Sequence, residues 1–133
     1  MIILDTHVLW WLDQASPRLG EGARREIEQA ESVGEVAVSA ISFWELEVLV
    51  RRGRLRAPWP LQQWRRDLMD AGLVEIPLTA DIAVYADQLT LPHRDPADRF
   101  IVATALLREA TLVTADKTLL NWPGELTRID AEC

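Results

Sequence analysis

The sequence predicts an α/β/α sandwich around a four- to five-stranded, mainly parallel sheet, and three observations predict it. Short apolar runs recur at Met1-Ile2-Ile3-Leu4, Val36-Ala37-Val38, Val74-Glu75-Ile76 and Leu112-Val113-Thr114, without the alternation of a half-exposed strand. A stretch with helical spacing of apolar residues follows each run, and strands that alternate with helices imply parallel βαβ units. The length, 133 residues, suits one domain with a real core and no internal boundary.

The first strand stops at Asp5-Thr6, where Val8, Leu9, Trp11 and Leu12 begin a helical pattern. Asp13 to Gly22 holds Ser16, Pro17 and Gly20 and reads as a loop. Glu21 to Ser32 reads as a polar, peripheral helix with Ala23, Ile27 and Ala30 as its few apolar residues. After the second strand comes a helix from Phe43 to Arg52, apolar around most of its circumference and ended by Gly53. Trp59-Pro60 opens a helix from Leu61 to Asp70, with Trp59, Leu61, Trp64 and Leu68 near one face and Gly72 at its close. Past the third strand, Thr79 caps a helix that runs through Leu91. Pro96 stands in the first turn of a long helix to Ala110. The fourth strand leads into a short helix, Asp116 to Asn121, and Leu126 to Ile129 supplies a fifth strand.

The composition is that of an ordinary globular protein: 49% hydrophobic, 26% charged. A net charge of −7 argues against a dedicated nucleic-acid binder unless a metal neutralises the acids. The one cysteine, Cys133, excludes a disulfide framework and points to a reducing, cytoplasmic setting. No signal peptide is expected, and no apolar run is long enough to span a bilayer. The glycines fall at caps and turns, so no phosphate-binding glycine loop is present. His7 and His93 have no zinc spacing with any cysteine, and both read as surface or capping residues.

The acids carry the chemistry. Asp5, Glu45 and Asp116 lie at or just past the carboxyl end of a predicted strand, and Asp98 opens the long helix. Taken singly, each has a plain reading as a helix cap: Ser42-x-x-Glu45 fits a capping box, and Asp95-Pro96-Ala97-Asp98 fits a cap, a proline and an acid on the helix dipole. Taken together they converge, because in a parallel sheet those strand ends share an edge, where sites form. Carboxylates gathered within about 6 Å repel and raise one another's pKa. A hard divalent cation that takes oxygen ligands resolves that conflict.

Four stretches, MIILDTHVLWWL, SAISFWELEVLVRRGRL, HRDPADRFIVATALL and LVTADKTLL, resemble in this order the PIN-domain proteins. In particular they are similar to the VapC-type ribonuclease toxins of bacterial toxin–antitoxin operons. The likeness covers nearly the whole chain, and its most specific part is Asp98 two residues before an apolar pair, with small residues at Ala103 and Ala105. The resemblance implies an acidic site of Asp5, Glu45, Asp98 and Asp116, with Asp5, Asp98 and Asp116 as metal ligands and Thr6 and Thr114 as supporting hydroxyls. Asp95 stays a cap. It further implies Mg²⁺- or Mn²⁺-dependent hydrolysis of RNA, a VapB-type antitoxin as partner, and a homodimer with no membrane association. Arg51, Arg52 and Arg54 are then candidates for RNA phosphates, and Trp59 and Trp64 for the antitoxin.

Two alternatives stand beside this reading. A phosphoryl-transfer α/β domain also places Asp at a strand end. However, a haloacid-dehalogenase type wants a second Asp where His7 stands, and a receiver wants an acid where the third strand runs out through Ile76-Pro77. A non-catalytic PIN domain serving as a binding module would have little reason to keep all four acids.

Overall fold

The computed structural model describes residues 1–133. Five strands form one sheet: β1 (Ile2–Leu4), β2 (Val36–Ser39), β3 (Val74–Ile76), β4 (Thr111–Thr114) and β5 (Arg128–Asp130). Their order is β3-β2-β1-β4-β5, and every pairing is parallel. The opening run is thus the central strand, flanked by β2 with Leu4 opposite Val38 and by β4 with Leu4 opposite Val113. This is not the 2-1-3-4-5 order of receiver-like folds.

Seven helices cover the sheet: α1 (Thr6–Asp13), α2 (Glu21–Glu31), α3 (Ala40–Arg51), α4 (Leu61–Asp70), α5 (Ala80–Gln88), α6 (Pro96–Leu107) and α7 (Lys117–Leu120). The period-2 alternation of a strand divides β1 between two cores. Ile2 and Leu4 pack with Val8, Leu9, Ile27, Leu46 and Trp64 of α1 to α4. Ile3 packs on the other face with Ile82, Ile101, Val102 and Leu119 of α5 to α7. Both faces are therefore apolar, which is why the strands show no polar alternation. Side chains such as Ile3, Leu4 and Leu112 are fully buried, and each contributes roughly 1.5–3 kcal/mol of hydrophobic stabilisation. The short residues Ala103 and Ala105 are also fully buried, so α6 can approach the sheet closely.

Several helix boundaries differ from expectation, each for a local reason. Helix α3 begins at Ala40, not Phe43, because Ser39 is its cap and accepts from the Ile41 N–H at 3.2 Å. Ser42 is therefore inside the helix, fully buried, and the expected capping box with Glu45 does not form. Helix α5 ends at Gln88, with Leu89 already extended ahead of Pro92. Helix α6 stops at Leu107 because Glu109 turns left-handed at φ 51° and the Ala110 N–H bonds back to the Ala105 carbonyl. Helix α2 is polar outside, but Ala23 and Ile27 are buried in the main core. Gly53 and Gly72, at φ 70° and 108°, follow α3 and α4 in the conformation only glycine adopts freely.

The aromatic face of α4 turns inward. Trp64 lies 5.4 Å from Trp10, 5.7 Å from the stacked Trp59 and 6.0 Å from Phe43, between ring centroids. Its indole N–H donates to Asp13 at 2.8 Å. Trp64 is buried and offers no surface to a partner, a correction to its reading as a contact residue. The amphipathic pattern of α4 marks the inner face: Gln62, Gln63, Arg66 and Asp67 take the solvent side. The exposed tryptophan is instead Trp44 on α3, at 58%. Trp64→Ala is expected to cost about 3–5 kcal/mol and Trp44→Ala under about 0.5 kcal/mol, measured by chemical denaturation. Equal costs would place the two rings in the same environment and contradict this packing.

Candidate active site

Asp5 leaves β1 at the carboxyl edge of the sheet, and its N–H bonds the Val113 carbonyl of β4 at 3.0 Å. The parallel register that sets Leu4 opposite Val113 sets Asp5 beside Thr114. The buried Thr114 hydroxyl donates to Asp5 Oδ2 at 2.7 Å and accepts from the Asp116 N–H at 3.1 Å. One hydroxyl thus couples the ends of two adjacent strands. Asp5 Oδ1 also accepts from the Thr6 N–H at 2.8 Å.

Glu45 reaches the same edge from the second turn of α3. The Thr6 hydroxyl donates to Glu45 Oε1 at 2.5 Å. That uses the only proton of Thr6, so Ser42, 2.8 Å away, donates to Thr6 Oγ1. Ser42, Thr6 and Glu45 form a directed chain between α3 and α1, and the role of Ser42 in it has no signature in the sequence. Asp98 arrives on the first turn of α6, behind the true cap Asp95, which accepts from the Ala97 N–H. No hydrogen bond is among the influences on Asp98.

Asp116 differs from the others. Its Oδ1 accepts from the N–H groups of Thr118 and Leu119, capping α7, and its Oδ2 lies 2.7 Å from His93 Nε2. Burial pushes its pKa up, but the His93 hydrogen bond and the two backbone donors outweigh burial and lower it. Asp116 is therefore both a cap and a member of the acidic edge.

Burial raises the pKa of the other three, and their mutual repulsion adds to it. Glu45 is pushed up to about 7, chiefly by burial, then by Asp98 and Asp5, against the Thr6 hydrogen bond. Asp98 is pushed up to about 6 by burial, then by Asp5 and Asp95, with His93 opposing. Asp5 is raised by burial against the bonds from Thr114 and Thr6. Asp5 acts on Glu45 and Asp98, and Asp116 on Asp5 and Asp98, so the four acids lie within electrostatic reach along this edge.

The remaining candidates lie elsewhere. Helix α3 runs away from the edge, so Arg51 begins about 9 Å along its axis from Glu45, six residues at 1.5 Å each, and Arg52 and Arg54 lie beyond it. Trp59 lines a groove of about 830 Å³ with Phe43, Trp44, Val50 and Leu61. Besides Trp64, the structure moves two side chains from where the sequence suggests: Trp44, on a helix expected to be well buried, is exposed, and His93 is mostly buried against Asp116.

The model of the PIN domain family matches residues 2–123. The chain belongs to the PIN-domain family. It is 36% identical over 121 residues to Ribonuclease VapC22 of Mycobacterium tuberculosis, an alignment covering 89% of this chain and 88% of that protein. Among solved structures, VapBC2 of Rickettsia felis, bound to a promoter DNA fragment, matches with TM-score 0.68 and 22% identity over 97% of this chain and 98% of that one. FitAcB of Neisseria gonorrhoeae matches with TM-score 0.65 and 20% identity over 98% of each. A toxin–antitoxin complex from Klebsiella pneumoniae gives 0.62 and 24%, also over 98% of each. At these identities the structural likeness is one of fold. Within the PIN fold the acidic positions of this chain come from the β1–α1 junction, α3, α6 and the β4–α7 junction.

The carboxylate and hydroxyl donors at this edge are all oxygen, and the basic side chains that act on them are imidazoles, His93 on Asp116 and His7 near Asp5. That matches the chemistry of a hard divalent cation. No three of the acids stand at the spacing of a closed ligand set. Three of them are instead turned toward a threonine hydroxyl or the imidazole.

The raised pKa values fix a sign for stability. Between their ordinary values near 4 and the folded values of about 6 and 7, the native state holds more protons than the unfolded chain. In EDTA, Asp98 and Glu45 should therefore make stability fall as pH rises through that window. Asp98→Asn removes a repelled charge and no cap, and should melt at or above wild type at neutral pH in EDTA. Asp116→Ala removes the α7 cap and should melt lower, by about 0.5–2 kcal/mol of stability. Thermal melts across the pH range decide it, and an Asp98→Asn protein that melts clearly lower shows no repulsion at this edge.

Proposed function

We propose that this chain is a divalent-metal-dependent endoribonuclease and the toxin of a toxin–antitoxin pair, with residues 1–133 acting as one PIN-like unit. One observation carries the reading. Four acids from separate parts of a chain 36% identical to a ribonuclease meet at one sheet edge, and three of them have raised pKa values. Burying carboxylates and setting them near one another gives no stability, and a bound cation would offset both costs.

Asp5, Asp98 and Asp116 would hold Mg²⁺ or Mn²⁺, with Glu45 completing the acidic ring. When bound, the cation supplies charge stabilisation at the phosphate and lowers the pKa of a coordinated water. Thr114 fixes the plane of Asp5, and Thr6, ordered by Ser42, fixes Glu45. Asp98, whose carboxylate accepts no hydrogen bond, would accept the proton of the attacking water. The water oxygen–phosphorus bond would form as the bond to the leaving ribose oxygen breaks, and that oxygen would take up a proton from solvent. Arg51, Arg52 and Arg54 would take backbone phosphates of a substrate that extends beyond the acidic edge.

A VapB-type antitoxin is the proposed partner. The groove along α3 and α4, with Trp44 and Trp59 on its walls, suits an apolar segment that orders on binding, with a basic side chain reaching the carboxylates. A second copy of the chain would use the exposed Val84 and Leu107 of α5 and α6, completing a homodimer. The setting is the cytoplasm, and no helix is long and apolar enough to cross a membrane.

Purified protein should cleave structured RNA with Mg²⁺ or Mn²⁺ and stop in EDTA. Asp5→Asn and Asp98→Asn should each abolish cleavage while leaving the fold intact by circular dichroism. Cleavage in EDTA, or full activity of Asp98→Asn, overturns the assignment. For the partner, Trp44→Ala and Trp59→Ala should each weaken binding of the antitoxin encoded beside this gene, measured calorimetrically. Unchanged affinity in both places the contact elsewhere on the surface.

A further inference from the structure

One side chain of the acidic edge remains without a role. His93 lies in the segment between α5 and α6, and 23 residues separate it from Asp116. Its Nε2 is 2.7 Å from Asp116 Oδ2, and its side chain is only 11% exposed. Its other ring nitrogen, Nδ1, is the one buried side-chain nitrogen or oxygen of the whole chain that lacks a hydrogen-bond partner. Buried polar atoms are nearly always paired, so an exception requires a reason. Packing alone would be served better by an apolar ring of the same size.

The segment that carries His93 is held rigidly. Arg99, next to Asp98 on α6, donates through Nε to the Ala86 carbonyl at 3.0 Å. Its Nη1 donates to the carbonyls of Leu91 and His93, both at 2.9 Å, and its Nη2 to those of Leu89 and Asp87 at 2.6 and 3.4 Å. A guanidinium has five N–H donors in a fixed fork, and all five end on backbone carbonyls of one segment. None is left for a carboxylate or a phosphate. Arg99 is thus spent on the path of residues 86–93, and that path ends with the imidazole on Asp116.

We propose that His93 is the positioning residue of Asp116, with Arg99 as the clamp that delivers it. The two backbone donors of α7 fix Oδ1, and the imidazole Nε2–H fixes Oδ2. The carboxylate then has one orientation, with a lone pair of Oδ2 left toward the acidic edge. The geometry assigns the neutral ring to the Nε2–H tautomer, because an N–H at Nδ1 would be a buried donor without an acceptor. Partners that orient a metal ligand in this way typically change metal affinity by about 10–100-fold when removed. This inference rests on the metal-site reading above, and its test separates the two.

The first measurement needs no metal. With only two histidines in the chain, long-range proton–nitrogen spectra resolve His93 from His7. At alkaline pH in EDTA, the full chain should show His93 protonated at Nε2 and bare at Nδ1, and Asp116→Asn should shift both nitrogens while leaving His7 in place. A freely exchanging His93, or one indifferent to Asp116→Asn, overturns the proposal whatever the metal does. The second measurement is Mn²⁺ titration followed by the electron paramagnetic resonance of the free ion. His93→Leu should bind Mn²⁺ about 10–100-fold more weakly, with kcat lowered and KM for RNA nearly unchanged. His93→Gln, which keeps a donor near Nε2, should recover a large part of both. Arg99→Lys should reproduce the His93→Leu loss and move the His93 signals. Mn²⁺ affinity of His93→Leu within about twofold of wild type overturns the positioning role. Wild type that binds no Mn²⁺ overturns the metal site itself and withdraws the positioning role with it.

Discussion

Parallel pairing of β1 with both β2 and β4 is the constraint on which the rest depends. It forces every strand to end at the same edge, and each connection must then return on a face of the sheet. Asp5 and Thr114 become neighbours by register alone, 109 residues apart in the chain. Helices that start at that edge bring Glu45 on the second turn of α3 and Asp98 on the first turn of α6. The same pairing buries both faces of β1, so the strand that carries Asp5 cannot shift without exposing Ile2, Ile3 and Leu4.

The edge is destabilised by design and held by hydroxyls. Thr6, Ser42 and Thr114 are buried, polar and neutral, and each gives or relays a hydrogen bond to a carboxylate without adding a charge. A lysine or arginine there would quench the negative field of the acids. Neutral donors orient the acids and leave the field in place. The aliphatic core on both sides of the sheet supplies the stability against which this repulsion is carried.

Much of this was legible in the sequence because parallel α/β architecture is periodic. The apolar runs located four strands, and the common edge followed from their being parallel. Asp5, Thr6, Glu45, Asp98, Thr114 and Asp116 were all marked; hydrogen bonds join Asp5 to Thr114 and Glu45 to Thr6, and Asp116 acts electrostatically on Asp5 and Asp98. The plain capping reading survives for Asp5, Asp95 and Asp116, and Asp5 and Asp116 are also part of the acidic edge. For Glu45 it fails, because a cap depends on where the helix starts, and Ser39 starts α3 three residues early. His93 was out of reach: its contact depends on the path of a loop, and that path is set by five bonds to carbonyl oxygens, which every residue has. The distance of Arg51 to Arg54 from the edge could have been read, since a helix that leaves a strand end carries its last turn to the opposite side.

The tryptophan cluster has a consequence for how this protein is observed. Trp10, Trp59 and Trp64 lie within 6 Å of one another, two of them stacked at an interplanar angle of 2°, and they account for half of the six indoles. Rings that close exchange excitation and couple their transitions, so the ultraviolet emission and the near-ultraviolet dichroism will be dominated by the junction of α1 with α4. Optical signals of this protein will therefore weight one face of the sheet most heavily. The carboxyl edge will be followed best through the exposed Trp44 beside Glu45 and through Trp122, whose indole N–H donates to the Thr90 carbonyl ahead of His93.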